Sequence, residues 1–114
     1  MKIPFLITTD KVEILGKTII GFAFFLWIVV HPRITGKKRE EIILHEKIHF
    51  HQQMELLFVF HWILYSFFYL RGRINGLDHK QAYRNNPFEL EAYQHDQNED
   101  YLDKRKKYNW LKLI

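Results

Sequence analysis

The chain predicts an α+β fold, with a small N-terminal β-sheet, one long helix and a second helix after it. Three observations carry this reading. Apolar, β-branched and aromatic runs crowd residues 3–30, residues 39–71 contain neither glycine nor proline, and Asn86-Pro87 opens a further helical segment. The 114 residues make one domain, 1–114, with one core and one surface for chemistry. Hydrophobic residues at 47% and charged residues at 26% exclude a disordered chain. Cysteine is absent, which excludes thiolate metal sites, disulfides and thiol nucleophiles, so any metal must be held by nitrogen and oxygen.

Residues 3–9 and 11–15 read as short strands, with a turn at Gly16-Lys17. Residues 18–30 are apolar after Thr18 and stop at His31-Pro32; they read as one long strand, bulged at Gly21, with a membrane-embedded segment as the alternative. This run is shorter than the ~20 residues a spanning helix needs. Residues 32–38 make a basic connecting loop.

From Arg39 to Arg71 the pattern is helical, with Glu40 and Glu41 in the first turn and Gly72 as the stop. Unbroken, such a helix is ~50 Å long at 1.5 Å per residue, so a bend or a projecting end is expected. Between Leu56 and Leu70 it is apolar on every side, and a chain this short has little with which to cover it. The expected cover is a second copy of the chain, ordinary burial within the fold, or a membrane surface. Residues 72–86 read as a polar loop. The last helix takes Asn86 as N-cap, Pro87 at its first position and Glu89 at its third, and runs to about Lys107 with an apolar stripe of Leu90, Tyr93 and Tyr101.

The net charge of +4 is a mild excess, read as solvated surface, and no nucleic-acid partner is expected. The first ten residues lack the apolar length and cleavage site of a signal peptide, which favours a cytoplasmic or peripheral-membrane setting.

Within the long helix lies His45-Glu46-Lys47-Ile48-His49. Positions i and i+4 are ~40° apart on a helix, so both imidazoles leave one face at the spacing of adjacent zinc ligands. Glu46, rotated ~100° from His45, sits where a general base reaches water on the metal. A third ligand must come from elsewhere. Glu89 is the candidate, because Ala92 one turn later lets two helices approach; Glu91 is its substitute, and a purely capping Glu89 needs no metal. The expected cofactor is Zn²⁺ and the expected reaction is amide hydrolysis of a peptide or protein substrate. Gln52 falls on the ligand face and is expected to line the cleft or bond the second helix. His51 is read as a surface residue, and His61 as a polar group satisfied at a helix contact. His31, His79 and His95 have no partner spacing, and Tyr83 and Arg84 are the candidates for stabilising an oxyanion.

The run His45-Glu46-Lys47-Ile48-His49 with Glu89-Leu90-Glu91-Ala92 resembles the gluzincin metallopeptidases, in which H-E-x-x-H is completed by a glutamate on a downstream helix. The glutamate segment is most similar to the E-x-E-A-D stretch of membrane-embedded gluzincins, such as prenyl-protein endopeptidases and antibiotic-sensor peptidases. The resemblance spans residues 18–98. It implies a zincin-like fold, zinc on His45, His49 and Glu89, a catalytic Glu46, and a strand within residues 18–30 edging the substrate cleft. The family's aspartate four residues after the ligand, which buttresses a histidine, is Tyr93 here, and Asp96 stands at a different spacing. Tyr93, Gln52, Glu55 or a backbone carbonyl is left to take its place.

Overall fold

The computed structural model of the chain describes residues 4–9, 13–14, 17–18, 20–24 and 26–114. Its elements are strands β1 (Phe5–Thr8), β2 (Glu13–Ile14), β3 (Lys17–Thr18), β4 (Gly21–Phe24) and β5 (Trp27–Val30), then helices α1 (Gly36–Glu55), α2 (Val59–Ile74), α3 (His79–Arg84), α4 (Pro87–His95) and α5 (Tyr101–Lys104), and a closing 3-10 turn at Asn109–Leu113. The α+β class stands.

The single long strand expected over residues 18–30 is instead a hairpin. β4 and β5 pair antiparallel, Gly21 with Val30 through Phe24 with Trp27. Extended, the run is ~43 Å at 3.3 Å per residue, beyond the 37 Å longest dimension of the protein; folded back, its two halves satisfy each other's backbone. β5 is the central strand, with β1 parallel on one side, Phe5 with Trp27 through Thr8 with Val30, and β4 at the other edge. Gly21 sits in register rather than in a bulge. β2 and β3 form a separate two-stranded ribbon, and Gly16 of the expected turn lies outside the described residues.

α1 begins earlier than the acidic pair suggested, after Thr35 as N-cap, so Lys37 and Lys38 occupy its first turn and the loop before it is shorter. Packing decides this. Ile42 and Ile43 lie against Ala23, Ile28 and Val30 of the sheet, which outweighs the few tenths of a kcal/mol, about 0.3–1, of an unfavourable helix dipole.

The bend expected in residues 39–71 falls at Leu56–Phe58. Leu57 and Phe58 have φ of 54° and 62°, and α1 and α2 meet at 111°. The end of α1 is a Schellman closure: the Phe58 N–H donates to the Gln53 carbonyl (2.7 Å) and the Leu57 N–H to the Met54 carbonyl (3.3 Å). α2 runs through Gly72, which is no stop signal here. A Cβ at Gly72 would stand 3.1 Å from the Ala82 Cβ, so this glycine lets α3 lie against α2. α3 itself replaces part of the expected polar loop and is started by a capping box between Asp78 and Gln81.

The last helix is shorter than expected: α4 ends at His95, and the chain turns before α5. Two apolar clusters seat α4, one of Ile48, Ala92 and Tyr101 against α1, the other of Phe68, Phe88 and Trp110 against α2. The fully buried Ala92 is the small contact residue that the sequence suggested. On α2, Phe60, Ile63, Phe67, Leu70 and Ile74 stay exposed, Ile74 at 83%, as one stripe at 3- and 4-residue spacing. Among the described residues no single helix is long and apolar enough to cross a membrane, though the bent α1–α2 pair passes by length and composition.

Candidate metal centre

α1 supplies His45 and His49 one turn apart, and α4 carries Glu89 across to meet them. The His45 Nε2 lies 3.1 Å from Glu89 Oε1, the His49 Nε2 lies 3.0 Å from the same oxygen, and the two Nε2 atoms are 3.2 Å apart. All three residues are buried. They are the one group of histidine and acid side chains among the described residues whose donor atoms can share a metal ion.

What surrounds the rings sets which nitrogen holds the proton. His45 Nδ1 faces Asp96 Oδ2 at 3.0 Å, and an ionised carboxylate only accepts. His49 Nδ1 faces Gln52 Oε1 at 2.8 Å. The Gln52 amide cannot be turned the other way, because its Nε2 donates to the Phe88 carbonyl (3.0 Å) and to Glu91 Oε1 (2.9 Å), both acceptors. Each Nδ1 therefore carries its hydrogen outward, and each Nε2 faces inward toward Glu89 Oε1. With neither Nε2 protonated, two lone pairs and a carboxylate oxygen would meet with no hydrogen between them. Such a set is stable only around a cation, a proton or a metal, and two imidazoles with one carboxylate form a nitrogen–oxygen donor set that suits zinc. The three residues can hold a metal ion.

The metal-free protein answers with a proton. Burial disfavours a charged His49, but the Glu89 carboxylate outweighs burial by Coulomb attraction and a hydrogen bond and raises His49 to about 10. Burial pushes Glu89 the opposite way, and the two imidazoles overcome it and hold the carboxyl well below its usual range. Tyr65 Oη donates to Glu89 Oε2 (2.7 Å), leaving Oε1 alone for the centre.

Glu89 does not cap its own helix. Asn86 does so by accepting from the Phe88 N–H (3.1 Å). Glu91 is no ligand either: it is fully buried in a separate network, accepting from Gln52, from Tyr101 Oη (2.6 Å) and from Arg105 Nε (2.5 Å). Arg105 also forks onto both oxygens of Glu55 at 2.9 Å. A chain of hydrogen bonds thus runs from Glu55 through Arg105, Glu91 and Gln52 to His49, tying the tail of the protein to the orientation of one ring.

The buttress that the sequence left open is Asp96, whose spacing had set it aside. Seven residues after Glu89, it comes round to nearly the same helical face one position past the end of α4, so the i+7 spacing was a signal that could have found it. Tyr93 packs edge-on against His45, with ring centroids 4.4 Å apart.

Glu46 is buried, and among the described residues no hydrogen bond or ion pair engages its carboxyl. Burial raises its pKa, the two histidines oppose this, and Glu89 adds to it; the net shift is upward. β4 lies directly alongside: a Cβ at Gly21 would fall 2.6 Å from Ile42 Cγ2 and 3.7 Å from Glu46 Cγ. Gly21, Glu46 and Tyr83 line two adjoining cavities at once, of about 270 and about 210 Å³, on either side of the centre. Tyr83 thus borders both cavities, its hydroxyl hydrogen-bonded to Tyr93, and burial with the nearby Glu89 raises the pKa of its phenol. The Arg84 guanidinium instead stacks 3.9 Å over the Tyr93 ring and lines neither cavity.

His51 is exposed, as expected, and His95 stacks on Tyr101 with centroids 3.8 Å apart. The satisfied contact expected for His61 is not found. It is 1% exposed, and among the described residues neither ring nitrogen has a hydrogen-bond partner. Comparisons with known protein families, with curated proteins and with solved structures find no match to this chain.

Proposed function

We propose that the protein is a zinc-dependent metallopeptidase of gluzincin type, with His45, His49 and Glu89 holding the metal and Glu46 as general base. The observation that supports this reading is the convergence of two imidazole Nε2 atoms and one glutamate oxygen within 3.2 Å, beside a buried carboxyl that no hydrogen bond engages among the described residues. Zinc held there supplies a Lewis acid for a substrate carbonyl and makes water more acidic. Glu46, whose pKa burial raises, takes the proton from the attacking water and returns it to the leaving amide nitrogen. Tyr83, lining the cleft with its hydroxyl protonated, is the donor for the developing oxyanion. β4 is an edge strand along this cleft, so an extended peptide can lie beside it as an added strand.

The alternative is a zinc-binding module without activity; the Asp96 carboxylate, 3.0 Å from His45 Nδ1, supports the peptidase over it by supplying a partner for that ring. A second alternative is a membrane-associated helical protein in which the H-E-x-x-H run is coincidental. The exposed stripe of α2 favours its membrane part: α2 has no acidic residue and ends in exposed Arg71 and Arg73, which suits an anionic lipid surface. Under this proposal the peptidase works at such a surface.

The experiment is zinc analysis and peptide hydrolysis for the wild type and Glu46→Gln. The expected result is one zinc per chain in both and hydrolysis in the wild type alone. Equal turnover by the two removes Glu46 from the mechanism; zinc without turnover in either returns the inactive module.

A further inference from the structure

With Asp96 beside His45, Tyr93 is left over: it stands where the gluzincin pattern has its aspartate, yet the chemistry above gives its hydroxyl no part. α4 places it on the wall of the cavity of about 210 Å³, together with His45, Glu46 and Tyr83. Its ring is held by two neighbours, edge-on against the His45 ring with centroids 4.4 Å apart and under the Arg84 guanidinium at 3.9 Å. It also meets Tyr83 edge-on, with centroids 6.3 Å apart, and the two hydroxyls are hydrogen-bonded. The other polar groups on this wall are the exposed Lys38 and half-buried Glu41 of α1, and Asp96, which faces His45.

A phenol has one hydrogen, which turns to suit its partners, and two lone pairs. Two phenols joined by one hydrogen bond therefore keep one hydrogen to spare. At rest Tyr83 gives its hydrogen to Tyr93, so a half-buried hydroxyl is not left without a partner. When negative charge develops on a substrate oxygen, Tyr83 turns its hydrogen to that oxygen, and Tyr93 in turn donates to the Tyr83 oxygen. A hydroxyl that accepts while it donates is the stronger donor, because the two bonds polarise each other. We infer that Tyr93 is a positioning residue for the oxyanion donor, holding Tyr83 Oη at the cleft and supplying the hydrogen bond that Tyr83 needs once its own hydrogen goes to the substrate. The inference rests on the peptidase reading and extends its machinery by one residue. Arg84 serves it by keeping the Tyr93 ring in place.

Tyr93→Phe is the test, since it removes the hydroxyl and leaves the ring between His45 and Arg84. Zinc affinity, by chelator competition, and melting temperature should match the wild type. Peptide hydrolysis by the zinc-loaded full chain should show kcat lowered about fivefold with KM within twofold, the size of one neutral hydrogen bond made in the transition state. Tyr83→Phe should cost about 100-fold, and the double variant no more than Tyr83→Phe alone, because Tyr93 acts only through Tyr83. An unchanged kcat in Tyr93→Phe or in Tyr83→Phe overturns the inference, and so do losses that multiply in the double variant, which would make the two hydroxyls independent. Weakened zinc binding in Tyr93→Phe assigns the residue to His45 and overturns it as well. In all these cases the wild type still turns over and the peptidase reading stands; a zinc-loaded wild type without hydrolysis overturns both.

Discussion

Asp96→Ala removes the carboxylate that fixes the His45 ring, without touching a metal ligand. In the wild type its Oδ2 accepts from His45 Nδ1 at 3.0 Å, so the ring is held in the tautomer that offers Nε2 to the metal. Partners of this kind are worth about 10- to 100-fold in metal affinity, or ~1.4–2.8 kcal/mol. The Asp96 side chain is 16% exposed, so water can replace part of the lost contact and the effect should fall in the lower half of that range. Asp96→Asn is the sharper perturbation. It keeps an acceptor oxygen but not the charge, so its loss should be smaller than that of Asp96→Ala. Competition titration against a chromogenic zinc chelator measures both. Zinc affinities within twofold of wild type for both variants would refute the argument that Asp96 orients the ring.

Three further outcomes follow from the same geometry. Glu91→Gln should retain zinc but lose about 3–5 kcal/mol of stability in chemical denaturation, because it leaves Arg105 partly uncompensated in a buried network; loss of zinc with unchanged stability would restore Glu91 as the ligand. The metal-free protein should have a definite pH window. His49 is raised, so its contribution is complete below its unfolded value near 6.5 and is lost as pH rises through about 10; Glu89 is lowered, so its contribution is present above about 4.5 and lost as pH falls below that. Thermal melts should therefore show highest stability between about pH 4.5 and 6.5, and zinc, by displacing the shared proton, should flatten the alkaline loss; a metal-free protein as stable at pH 10 as at pH 6 contradicts the pairing. Finally, the chain should sediment with vesicles containing anionic lipid and not with neutral ones, and replacing Ile63 and Phe67 by Ser should release it, whereas a concentration-dependent dimer indifferent to lipid would assign the stripe to a second copy.

The parts of this protein that were legible in its sequence are those set by local periodicity. The H-E-x-x-H spacing places two rings on one face whatever the rest of the chain does, and Asn86-Pro87 marks a helix start by backbone chemistry alone. The α1–α2 break was predictable in kind from length but not in place, because its left-handed position is a leucine where a glycine is the usual signal. The β4–β5 hairpin was missed for the opposite reason: apolar residues continue through its turn, and no Gly, Asn or Asp interrupts them. At the centre, Asp96 lies off the four-residue spacing after Glu89, and its seven-residue spacing is what brings it to His45. Tyr65 and the path from Glu55 to Gln52 depend on contacts between elements far apart in sequence, which periodicity does not report.

X-ray absorption at the zinc edge of the loaded protein tests the central claim most directly. The account predicts two imidazole nitrogens and carboxylate oxygen at ~2.0–2.2 Å, with the carboxylate signal lost in Glu89→Ala. A zinc shell with fewer than two imidazoles, or one unchanged by Glu89→Ala, would contradict it.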